Sequence, residues 1–179
     1  MAGYMVEKNI LGNLSKTQVT VLTSLILAVA LVLAVVENML PPPPIPVPGV
    51  KFGLSNIAVM YALFFLGWEK AYVIALLKGG FAFITRGAVA GALSLAGGML
   101  SVTVMLLLLV LLREKISYLS ISIFGAVSHN IGQFFVIILL YTGMNLLPYL
   151  PILLVSGVIA GIVTSTLLRF ILPAFKRLV

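Results

Sequence analysis

The stretch VTVLTSLILAVALVLAVV, residues 19–36, carries no charge, no proline and no glycine from end to end. A helix needs about 20 apolar residues to cross the hydrocarbon of a bilayer, and this run has that length. The AVA at residues 28–30 has the look of a signal-peptide cleavage site. The apolar run continues unbroken past it, so the reading is an uncleaved first helix, about Val19 to Leu40.

More apolar runs follow. One covers about Leu54 to Gly67, short for a full span, and ends at Trp68, Glu69 and Lys70, an interfacial aromatic beside charges. The next covers about Ala71 to Thr85 and is interrupted by Lys78, Gly79 and Gly80. Then come about Ala88 to Leu112, about Ile116 to Tyr141 and about Tyr149 to Leu172. Composition agrees. Of 179 residues 62% are hydrophobic and 8% charged, with mean hydropathy +1.26. A soluble domain carries roughly 25% charged residues. A backbone in lipid must satisfy its own hydrogen bonds, and long continuous runs do so as helices. The expected fold is an all-α integral membrane protein of six transmembrane helices.

The organisation follows. Residues 1–17 are a short cytoplasmic segment, 18–173 the six-helix domain and 174–179 a basic cytoplasmic tail. Within the domain, 41–53 is a proline-rich outer loop, PPPPIPVPG at its start, extended near polyproline II. It is either a stiff connection or a cover over a ligand. Orientation comes from the cations. Lys8, Lys16, Lys70, Arg113, Lys115, Arg169, Lys176 and Arg177 fall on one side; Lys51, Lys78 and Arg86 fall on the other or within the membrane. The positive-inside rule then puts both termini in the cytoplasm, with the cell membrane as location. The net charge of +7 is thereby accounted for without a nucleic-acid partner.

Lys78 is the most unusual of these cations, about half way across the bilayer. An ion there costs at least ~2.5–3.5 kcal/mol, so it should face a partner or a cavity. Arg86 is eight residues on, only ~80° round the helix and ~12 Å higher, so both can face one vestibule. The plainer alternative has Lys78 snorkelling or pairing with Glu37, and Arg86 anchoring at the interface. In the fifth run, His129 and Gln133 are i, i+4 neighbours beside Ser128 and Asn130. They serve either interhelical hydrogen bonds or a ligand. Ser55 or Asn56 is placed to cap the second helix. Left uncapped, that helix start beside Lys51 would suit an anion. Phe52, Phe81, Phe83 and Phe134 are candidates for an apolar wall. Small residues recur four apart at Gly87 and Gly91, Gly157 and Gly161, Ala30 and Ala34, and Ser24 and Ala28. Such spacing lets helices approach closely, within the chain or against a partner.

Several strings resemble one family. PGVKFGLSN at residues 48–56 is similar to the PG-x-K-x-G-L-x-N pattern of the Gx transporter family, often labelled heptaprenyl diphosphate synthase component I. LSLAGGMLS at 93–101, GAVSHNIGQ at 125–133 and YLPILLVSGVIAG at 149–161 resemble it too. The family in turn looks like the substrate-binding S components of energy-coupling factor (ECF) transporters. That likeness implies a six-helix bundle with cytoplasmic termini, a small molecule captured from outside, and a loop after the first helix that helps close the site. It also implies a transmembrane coupling subunit with ABC-type ATPases as partners. An Ala-x-x-x-Ala face on the first helix would dock that subunit. Ala30 and Ala34 fit the spacing, with Ser24 and Ala28 a weaker substitute.

The synthase label would imply an enzyme. Prenyl diphosphate chemistry holds magnesium on clustered carboxylates, yet the chain has no Asp and only Glu7, Glu37, Glu69 and Glu114. No acid–base pair and no Ser/His/Asp set is visible. With no Cys and one His, a metal site is not expected, nor is a cofactor. No phosphate-binding glycine loop is present, so ATP hydrolysis would fall to a partner. The reading is therefore a non-enzymatic, S-component-like subunit in the lipid bilayer. It would hold a small, anionic, amphiphilic molecule (an isoprenoid phosphate, a quinone precursor or a flavin-like compound) through Lys51, Asn56, Lys78, Arg86, His129, Asn130 and Gln133, with Glu37 nearby. The alternative is a non-catalytic membrane subunit associated with prenyl diphosphate or quinone synthesis.

Overall fold

The structure is a computed structural model and describes residues 15–39, 53–112, 115–143 and 146–175. Its helices are α1 (Lys16–Met39), α2 (Leu54–Phe65), α3 (Trp68–Arg86), α4 (Ala88–Leu112), α5 (Tyr118–Leu140) and α6 (Leu150–Phe175). A 3-10 turn, Leu147–Tyr149, leads into α6, and the described residues contain no strand.

Local chemistry sets the boundaries. Ser15 and Gln18 form a reciprocal capping box: the Ser15 N–H donates to Gln18 Oε1 at 2.8 Å and the Gln18 N–H to Ser15 Oγ at 3.2 Å. This starts α1 three residues before the apolar run. Ser117 caps α5 by accepting from the Ser120 N–H at 3.1 Å, so α5 begins at Tyr118. Gly87, at φ 89°, is the one residue between α3 and α4. A Cβ built on it would meet nothing within 4 Å. Its value is therefore the positive φ of a tight reversal, not the helix contact its spacing to Gly91 suggested.

Consecutive helices pack antiparallel from α3 to α6. Gly91 lies against Phe83, Gly97 against His129, Gly132 against the Ala96 carbonyl and Gly161 against Ile123. At Gly161 an added Cβ would sit 2.5 Å from the Ile123 Cα, a backbone atom that cannot swing away. Gly161→Ala should therefore cost about 1–3 kcal/mol through overpacking. Gly80→Ala, where nothing lies within 4 Å, should cost nothing. Thermal unfolding in mild detergent separates the two.

The helix α2 is the centre. Every residue from Ile57 to Leu66 is buried, among them Met60, Phe64 and Phe65. It is about 18 Å long, too short for a hydrocarbon layer of ~30 Å. It is enclosed instead by α1, α3, α4 and α6. Among the described residues, four helical stretches are long and apolar enough to cross a membrane: α1, α4, α5, and α6 with the turn before it. Large apolar side chains project outward from the bundle, including Ile84, Leu111, Leu139 and Phe170. With few charges to wet that surface, the chain is a multi-pass membrane protein.

The helix α1 turns its small residues to different sides. Ala30 is fully buried beside Ile26 in the core. Ala34 lines an internal cavity. Ala30 faces inward, and Ala34 is half-buried on the cavity side. Ser24 and Ala28 are exposed, on the opposite side of the helix. The cause is the burial of Glu37: residues 30, 34 and 37 follow one helical stripe, so the side that takes Glu37 inward takes both alanines with it.

Candidate functional site

Lys78, near the middle of α3, is 4% exposed. Its ammonium donates to Asn56 Oδ1 at 2.6 Å and to Ser55 Oγ at 3.3 Å, both in the first turn of α2. Glu37, near the end of α1, is 8% exposed. Its Oε1 accepts from the Gly53 N–H, and its Oε2 accepts from the Ser55 hydroxyl at 3.5 Å. Ser55 thus stands between a buried acid and a buried base. Gly53 holds φ 74°, a left-handed conformation that aims its N–H at the carboxylate.

This revises the expected capping. Neither Ser55 nor Asn56 caps α2; no side chain does so. The Glu37 carboxylate lies at the positive end of α2, where an anion is favoured. It has taken the place considered for a ligand anion, and Asn56 turns to Lys78 instead.

These groups open onto one cavity of about 150 Å³ to which all six helices contribute. Glu37, Asn56, Lys78 and Arg86 meet His129, Asn130 and Gln133 there. Seven of the eight expected binding residues are thereby brought together. Lys51 lies outside the described residues, as do Phe52 and most of the proline-rich loop. Arg86 is exposed at the end of α3 and donates from Nη1 to Asn38 Oδ1 at 2.8 Å. Of the expected aromatic wall, Phe81 lines the cavity. Phe83 is largely exposed, and Phe134 packs with Leu153 in a separate cluster. One helix turn cannot present residues 81 and 83 to the same side.

The α5 wall divides by role. The imidazole of His129 lies against α4 at Gly97, where a Cβ would come within 2.8 Å of the ring. Its Nε2 is 3.2 Å from Gln133 Nε2. The Asn130 amide nitrogen donates to the Leu153 carbonyl at 2.8 Å and to Ser156 Oγ at 3.1 Å. It fastens α5 to α6 at the cavity edge. Gln133 is 5% exposed, and its Oε1 is buried with no hydrogen-bond partner among the described residues.

Sequence reading missed Asn38 and Ser94, which also line the cavity. Asn38 was legible as the neighbour of Glu37; Ser94, a lone small hydroxyl in an apolar run, gave no signal. The described residues contain no group of three or more His, Cys, Asp or Glu that could hold a metal ion. Chemically, the site offers cationic donors at one part of its wall and an imidazole with side-chain amides at another, in an apolar surround. That arrangement suits selective binding.

A sequence model of the family described as heptaprenyl diphosphate synthase component I matches residues 26–171, well over half the chain. Neither a curated protein nor a solved structure matches it.

Proposed function

The chain belongs to the heptaprenyl diphosphate synthase component I family, and from that premise we propose that it is a substrate-binding subunit of a membrane transporter, comparable to an ECF S component. It captures a small anionic organic molecule. The observation that carries this reading is Lys78, a cation buried in mid-helix on the wall of a cavity. An ionisable side chain at membrane depth marks a functional position by default. Its position beside open space is what a binding residue needs. Arg86 adds a second cation to the same lining, against one acid, Glu37.

The molecule works in the cell membrane with six crossings, α3 and α2 completing the set, the short α2 meeting protein rather than lipid because the other helices enclose it, and both termini face the cytoplasm. The cavity then lies toward the outside, since Arg86 and Asn38 sit at the end away from the termini. The chain has no cysteine, so labelling is free of background. Cysteine at Gly143 should react with an impermeant reagent from outside, and cysteine at Lys115 should not. The reverse pattern would overturn the orientation.

No catalytic step is assigned. The family description names one component of a synthase, which favours a second reading: a non-catalytic membrane subunit that assists prenyl diphosphate synthesis. The two differ in what stabilises the protein. A ligand present at 100 times its Kd adds about 2.7 kcal/mol to stability. For a binding subunit, the anionic fraction of a small-molecule cell extract should raise the unfolding temperature in detergent. If no fraction does so, and the protein is instead stabilised by a soluble synthase subunit, the second reading replaces the first.

A further inference from the structure

Resting on that substrate-binding reading, we infer that Asn56 is a switch. In this structure it holds Lys78, and it turns to Thr164 on α6 when an anion takes Lys78. Thr164 is thereby a positioning residue that acts through Asn56.

The first argument is how Lys78 is held. Its ammonium donates to Asn56 Oδ1 at 2.6 Å and to Ser55 Oγ at 3.3 Å. Both acceptors are neutral. An anionic oxygen is the stronger acceptor for an ammonium, so an anion that reaches Lys78 competes with them.

The two acceptors differ in how they are fixed. Ser55 is 7% exposed, and its hydroxyl also donates to the buried Glu37 carboxylate at 3.5 Å. Moving it would strip a buried acid of a donor. Asn56 is only half-buried and lines the cavity. Lys78 is the described hydrogen-bond partner of its side chain. Asn56 is therefore the group that gives way.

The third argument is where it can go. Thr164 is 4% exposed, and its Oγ1 is buried with no partner among the described residues. Thr85, Thr103 and Thr166 each donate to the carbonyl four residues back, at 2.7 Å, 2.8 Å and 2.8 Å. Thr164 does not. A Cβ built on Gly53 would lie 3.6 Å from Asn56 Nδ2 and 3.9 Å from Thr164 Oγ1. Both atoms border the space that the missing Gly53 side chain leaves. While Lys78 holds Oδ1, Nδ2 stops short of Thr164. Released from Lys78, the amide can donate across that space to Thr164 Oγ1. A stranded hydroxyl is then matched, which offsets the bond lost at Lys78.

Reductive methylation with formaldehyde and dimethylamine–borane tests this on the full chain in detergent. Both reagents are small and uncharged, and the reaction needs no ligand. Peptide mass spectrometry reads Lys78 against the partly exposed Lys70. Asn56→Ala should raise Lys78 methylation about five-fold. Thr164 lies outside the cavity lining, yet Thr164→Val should lower Lys78 methylation by a similar factor, and Thr164→Ser should match the wild type. With Asn56→Ala in place, Thr164→Val should change nothing. Thr164→Val without effect on Lys78, or with the same effect whether or not Asn56 is present, overturns the switch. Lys78 unmethylated in every variant overturns it too, since removing Asn56 then uncovers nothing. Should Asn56→Ala not fold, Asn56→Leu takes its place, and the contrast of Val with Ser at 164 decides alone. The anionic extract fraction tests the broader reading separately. About five-fold more of it should be needed to stabilise Thr164→Val than wild type. If no fraction stabilises the wild type, that reading falls, and with it the anion that would work the switch.

Discussion

Lys78→Gln should abolish stabilisation of the protein by anionic ligand, with affinity lowered ten-fold or more. Truncating one partner of a buried charge pair costs about 2–5 kcal/mol in binding. The unliganded fold should survive the change with a lowered melting temperature. Replacing a whole buried ion pair is often neutral, but removing one charge leaves the other, here Glu37, less compensated, and that costs stability. Gln at 78 can still donate to Asn56 Oδ1, the nearest partner of the native ammonium. A protein that still unfolds cooperatively, at a lower temperature, and that anionic ligand no longer stabilises is therefore the diagnostic result. Lys70→Gln is the control. Lys70 is partly exposed and meets only Glu69, at 3.5 Å, and such a surface pair contributes little. If Lys78→Gln binds as wild type does, the buried cation is structural. If it fails to fold, Lys78→Met, which keeps the length of the stem, separates lost packing from lost charge.

The two alanines of α1 should respond in opposite ways. Ala30 is 0% exposed and sits in the core. Ala30→Leu adds carbon where there is no space, and a loss of about 1–3 kcal/mol is expected. Ala34 faces the cavity. Ala34→Leu has room, so the fold should hold while ligand is excluded by the volume added to a void of about 150 Å³. Had both residues formed an external docking face, both changes would spare folding and ligand binding alike and would weaken only association with a partner. Ser24 and Ala28, which are exposed, are the positions at which that third pattern is now expected. Thermal unfolding and ligand titration on the single variants distinguish the outcomes.

The helices were legible because hydrophobic runs and charge breaks are local. Ala88 to Leu112 was readable end to end. What was not legible was face. Ala30 and Ala34 share a spacing that permits close approach, but spacing does not say against what. That was decided by Glu37, which has to be buried to meet Gly53 and Ser55 on α2. Asn56 failed for the same reason. In sequence it stands where a cap would stand, and only the three-dimensional neighbour Lys78 diverts it. The convergence of Lys78, Arg86, His129 and Gln133 was legible because ionisable and amide groups in an apolar chain have few places to go. Their division into fasteners and binding groups was not. Asn130 is tied to Leu153 and Ser156, 23 and 26 residues away, a long-range fact invisible to any window of sequence.

The central claim is that the cavity exists to hold a small anion. Native mass spectrometry of the wild-type chain, extracted gently from the membrane that made it, tests this most directly. The account requires a second species, heavier by the mass of one small molecule, which on release is detected as an anion and which disappears in Lys78→Gln. A wild-type spectrum with the bare chain alone after extraction into ligand-containing lysate, or a retained mass that persists unchanged in Lys78→Gln, would contradict it.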